Sequence, residues 1–134
     1  MLSATMVAGA FAATPPSVAP SVVSVVTAGH WESGGTHGTY RVLLLRGGFE
    51  HVTSRVIAEW IADPTAATRE AHVAYSKVLV DNCLCSLDTP QVEPIEGGVR
   101  VALSGELSHV PGKSLTCVFE LRPKGQLLVL RQCE

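Results

Sequence analysis

Leu115-Thr116-Cys117-Val118-Phe119-Glu120-Leu121-Arg122-Pro123-Lys124-Gly125-Gln126-Leu127-Leu128-Val129-Leu130-Arg131-Gln132-Cys133 is the stretch that decides the fold class. Leu115, Cys117, Phe119 and Leu121 alternate with Thr116, Val118, Glu120 and Arg122, the period of a strand with one buried face. Pro123-Lys124-Gly125 suits a three-residue hairpin loop, a type I turn with Gly125 in the left-handed position, which sets Arg122 opposite Gln126. Leu121 then faces Leu127, Phe119 faces Val129, Cys117 faces Arg131 and Leu115 faces Cys133.

Upstream, Val99, Val101 and Leu103 alternate with Arg100, Ala102 and Ser104, giving a strand with one wet face. Residues 39–45 are apolar on both faces, with Tyr40, Val42 and Leu44 on one and Leu43 and Leu45 on the other, as in a central strand. Residues 49–62 fit both a helical stripe and alternation; the strand is favoured, paired back on residues 39–45 through Gly47-Gly48. Residues 21–27 and 73–80 add further strands. Asp63-Pro64 reads as an N-cap and first helical position, followed by one or two helical turns over residues 65–71. The expected fold is mainly β, an antiparallel sandwich or partly open barrel of about seven strands with one short helix, with α+β as the alternative.

Hydrophobic residues make up 46% of the 134 and charged residues 16%, 10 basic against 12 acidic, a balance that offers nucleic acid no basic stripe. A chain of this length buries a core without needing a metal or several disulfides. Its first basic residue is Arg41. Residues 2–10 form a short apolar run, and Ala10-Phe11-Ala12 fits small-x-small cleavage, so the start reads as a signal peptide that lacks its charged n-region. Pro15, Pro16 and Pro20 interrupt the only candidate for a membrane span and make residues 14–20 an extended linker. The organisation expected is a targeting-like segment and linker over 1–20 and one β-rich domain over 21–134, periplasmic or secreted, with no nucleic-acid partner and no integral membrane association.

The four cysteines, Cys83, Cys85, Cys117 and Cys133, read as disulfides in that compartment. In an extended segment Cys83 and Cys85 lie on one face about 7 Å apart. Cys117 and Cys133 are diagonal in the register above, so two bridges between residues 83–85 and the final hairpin are expected over local pairing. Reduced core thiols and a thiolate metal site are the competing readings, and Cys-x-Cys spacing is weak evidence for zinc.

No Gly-x-Ser-x-Gly elbow, phosphate-binding loop or His-Glu-x-x-His motif is present, and no enzyme activity, cofactor or metal is expected. Residues 29–38 read as a loop with four glycines that carries His30, Trp31 and His37. An indole flanked by flexible glycines suits an interface anchor, with His30 and His37 as its polar rim. The competing reading has Trp31 folded back to cap the sandwich, and a metal reading would add Glu50 or His51 as ligands. A second candidate is the tip Ser108-His109-Val110-Pro111-Gly112-Lys113. The expected function is a small, exported, non-catalytic binding, inhibitory or assembly module acting on another protein or cell-envelope macromolecule. The alternative is a small metal-handling protein with His and Cys ligands.

Overall fold

The computed structural model describes residues 18–134. The signal-like segment and the first part of the proline linker lie outside the described residues. Among these residues the strands are β1 (Val22–Ser33), β2 (Thr36–Gly47), β3 (Thr53–Ala62), β4 (His72–Cys83), β5 (Cys85–Leu87), β6 (Gln91–Ile95), β7 (Gly98–Leu107), β8 (Ser114–Arg122) and β9 (Gln126–Arg131). They form two antiparallel sheets, one in the order β1-β2-β3-β4 and one in the order β5-β7-β8-β9, with β6 pairing β7. This is the expected mainly β sandwich.

Alternation places the core. Tyr40, Val42 and Leu44 of β2 and Val56, Ala58, Trp60 and Ala62 of β3 point inward and are buried. Val99, Val101 and Leu103 of β7 and Cys117, Phe119 and Leu121 of β8 meet them from the second sheet. Tyr40 and Trp60 pack edge to face at 6.0 Å, a geometry worth about 0.5–1.5 kcal/mol beyond area burial. Burial pushes the Tyr40 phenol up to about 12, against the opposing charge effect of Arg122.

The helix expected after Asp63-Pro64 is not formed. A single turn replaces it: the backbone N–H of Arg69 donates to the Thr65 carbonyl at 2.8 Å, and the Thr65 and Thr68 hydroxyls each accept from the other's backbone N–H at 3.1 Å. Hydroxyls that bond the local backbone compete with helix propagation, and Arg69, at φ 55°, turns the chain away. Residues 91–95 form β6, where Pro94 is tolerated because β6 is an edge strand.

The ten-residue glycine loop is also corrected. β1 runs on to Ser33 and β2 begins at Thr36, so only Gly34 and Gly35, at φ 56° and 82°, make the connection. Two consecutive positive φ values are what a tight two-residue hairpin requires.

Both cysteine bridges are local, in place of the expected links between residues 83–85 and the final hairpin. Leu121 opposite Leu127 and Phe119 opposite Val129 follow the expected register, but Val118 pairs with Arg131, so β9 carries an inserted residue. Beyond it Thr116 and Glu134 exchange backbone hydrogen bonds at 3.1 and 3.5 Å, a shift of one residue more. Cys133 is thereby brought directly opposite Cys117, with Cα atoms 4.4 Å apart, and the two are bonded; that spacing is typical of a non-hydrogen-bonded antiparallel pair. At the other bridge the chain is not extended. It bends at Leu84, after Asn82 at φ 48°, and the Cα atoms of Cys83 and Cys85 approach to 5.2 Å and share a disulfide. Two disulfides fit an oxidising compartment.

Candidate functional site

Trp31 is not an exposed anchor. A β-bulge between Ala28 and Trp31 turns its side chain inward, where it is 2% exposed and its Nε1–H donates to the Thr39 carbonyl at 3.0 Å. The bulge leaves His30 on the surface beside His37, with ring centroids 5.9 Å apart. His37 is held by Asp63: the ring Nδ1 lies 2.8 Å from Oδ2, and the Asp63 backbone N–H donates to the His37 carbonyl at 2.9 Å. No Ser, Thr or Cys side chain hydrogen-bonds to this ring among the described residues.

These histidines sit at one end of the face of the first sheet that turns away from the core. On that face the register aligns Val25 with Leu43, Leu43 with Ile57 and Ile57 with Val78. Directly opposed side chains in antiparallel strands share a face, so the four form one aliphatic row across all four strands, roughly 14 Å from first to last at the usual strand spacing. Val25 is 49% and Val78 43% exposed at its ends. The next row toward the histidines is polar, Thr27, Arg41, Glu59 and Ser76, with Arg41 Nε donating to Glu59 Oε1 at 2.8 Å. On the other flank Arg55 Nε lies 3.5 Å from Asp81 Oδ1. An apolar band between paired charges of both signs is the anatomy of a protein-binding surface, with a dry centre and a polar rim.

The second sheet presents different chemistry outward. Glu120 accepts from Arg122 at 2.8 Å and from Arg100 at 3.2 Å, and these hydrogen bonds hold its carboxyl below the usual value. Farther along, Ser86, Asp88, Ser104, Glu106, Ser114 and Thr116 line a shallow polar hollow of about 370 Å³. The tip over residues 108–113 is tied down, with Ser108 Oγ donating to the Val52 carbonyl. Neither Glu50 nor His51 joins the histidines in a ligand set; among the described residues no group of three or more His, Cys, Asp or Glu is placed to hold a metal ion.

Sequence reasoning named His30 and His37 but missed the aliphatic row. Leu43 as the second apolar face of a central strand was the available signal; its alignment with Val25, Ile57 and Val78 needs the register of all four strands. No protein-family model, curated protein or solved structure matches this chain.

Proposed function

We propose that the chain is a small, non-catalytic binding or assembly module, exported to the periplasm or outside the cell, that docks a partner protein on the outer face of its four-stranded sheet. The observation that carries this reading is the row Val25, Leu43, Ile57 and Val78, left uncovered among the described residues on a surface bordered by Arg41–Glu59 and Arg55–Asp81. Aliphatic side chains in an unbroken band favour a protein partner, because burial there removes apolar surface from water without desolvating a charge. His30 and His37 extend the face as a polar end. The metal-handling alternative draws less support, since all four thiols are bonded to one another.

The test is site-specific photo-cross-linking in the native host, with the reactive side chain placed in turn at Val25, at Val78 and, as a control, at His109. One partner protein captured from both Val25 and Val78, and lost when Leu43→Asp is added, supports the reading. Capture from His109 alone, or no dependence on Leu43, overturns it.

A further inference from the structure

The two disulfides differ in what the fold does for them. Cys117 and Cys133 are 16 residues apart and Cys83 and Cys85 only 2. In the chain-entropy account a cross-link stabilises the fold by restricting the unfolded chain, and the restriction grows with the loop enclosed. Linkage makes the relation reciprocal: a bond that adds little to the fold receives little protection from it against reduction. By this measure Cys83–Cys85 is the less protected bridge.

The corner it spans is also held without it. Ser54, 1% exposed, stands opposite Cys83, donates from Oγ to the Cys85 carbonyl at 2.8 Å and accepts from the Leu87 backbone N–H at 3.1 Å. The Ser108 N–H donates to the Leu84 carbonyl at 3.1 Å. None of these bonds uses a sulfur, so the turn persists when the bridge opens. The two sulfurs are unequal in access. Cys85 is fully buried, Cys83 is partly exposed, and Leu84 between them is 47% exposed.

We propose that Cys83–Cys85 is a redox site that exchanges two electrons with an external dithiol, with Cys83 as the sulfur that meets the partner and Cys85 as the one that leaves and returns. A partner thiolate attacks Cys83 Sγ, the bond between Cys83 and Cys85 breaks, and Cys85 departs as a thiolate that takes up a proton. The partner's second thiol, deprotonated, attacks its own sulfur in the mixed disulfide and releases Cys83, which is protonated in turn. The partner dithiol is oxidised to a disulfide, and two electrons and two protons reach the Cys83–Cys85 pair. The reverse sequence oxidises a partner. This chemistry is independent of the binding face.

The full oxidised chain is equilibrated across a series of reduced and oxidised glutathione mixtures, quenched in acid, alkylated and mapped by mass spectrometry. Cys83 and Cys85 are expected to become labelled in mixtures that leave Cys117–Cys133 intact, with the circular-dichroism spectrum unchanged. In single variants incubated with oxidised glutathione, Cys85→Ser is expected to form the adduct at Cys83 at least tenfold faster than Cys83→Ser forms it at Cys85. Reduction of both bridges together, reduction only with loss of the fold, or equal adduct rates at the two positions overturns the proposal.

Discussion

The ring of Tyr75 in β4 lies directly over Gly125 in the β8–β9 turn, so the last hairpin touches the opposite sheet at a place where only hydrogen fits. A Cβ added to Gly125 would stand 2.8 Å from Cδ1 of Tyr75, and Gly125 itself has φ 68°. Gly125→Ala therefore meets two penalties, backbone strain and a collision. Gly112, at φ 80° with nothing within 4 Å of an added Cβ, meets only the first. In urea denaturation Gly112→Ala is expected to cost about 1 kcal/mol and Gly125→Ala about 2–3 kcal/mol. Equal losses would show that the Tyr75 contact is loose.

Trp31→Ala should act on stability. An indole that is 2% exposed and hydrogen-bonded to Thr39 leaves a cavity when removed, at an expected cost of about 3–5 kcal/mol. Equilibrium unfolding measures it. A loss under 1 kcal/mol would return Trp31 to the surface.

Removal of the disulfides should rank them. Cys117→Ser with Cys133→Ser is expected to lower unfolding free energy by about 3 kcal/mol, and Cys83→Ser with Cys85→Ser by about 1.5 kcal/mol, from the loop each encloses. The reverse order in calorimetry would mean that the corner at Leu84 depends on its bridge.

Glu120 sets an acid limit. Hydrogen bonds from Arg122 and Arg100 lower its pKa in the folded chain, so the native state holds the carboxylate more strongly than the unfolded one. The stability this supplies is complete above the ordinary Glu value of about 4.3 and is lost as pH falls from there through the lower folded value. Melting temperature should drop over that window in the wild type and drop less in Glu120→Gln. Parallel curves for the two proteins would remove Glu120 from the account.

The final hairpin was legible near its turn and not at its far end. Pro123-Lys124-Gly125 fixes Arg122 opposite Gln126, although Lys124 as well as Gly125 adopts positive φ, at 65° and 68°, instead of completing a type I turn. Along Leu127, Leu128, Val129 and Leu130 every residue is aliphatic, so a one-residue insertion changes no hydropathy and leaves no mark in the sequence. That insertion and a second one-residue shift before Glu134 together move Cys133 opposite Cys117. Residues 29–38 failed for another reason. Their glycines suggested freedom, whereas Gly34 and Gly35 make one turn and Gly38 lets β2 approach the Ile61 carbonyl of β3 closely. On the candidate face His30 and His37 were visible as residues, Leu43 as part of the second apolar face of a central strand, and residues 49–62 as its neighbour through Gly47-Gly48; the register that lines up Val25 and Val78 with them is a long-range fact that no local pattern carries.

Among the described residues the chain crosses from one sheet to the other once, at Leu84, and each sheet is built from an unbroken run of sequence, β1 to β4 before the crossing and β5 to β9 after it. Each meander can zip up from neighbouring hairpins, which closes short loops at small entropic cost. The late event in folding is then the meeting of two preassembled layers, and a polypeptide cut at Leu84, with the Cys83–Cys85 bridge across the cut reduced, would yield two fragments whose greasy inner surfaces are each other's complement. Split-protein reconstitution across that single seam is therefore built into the order of the strands.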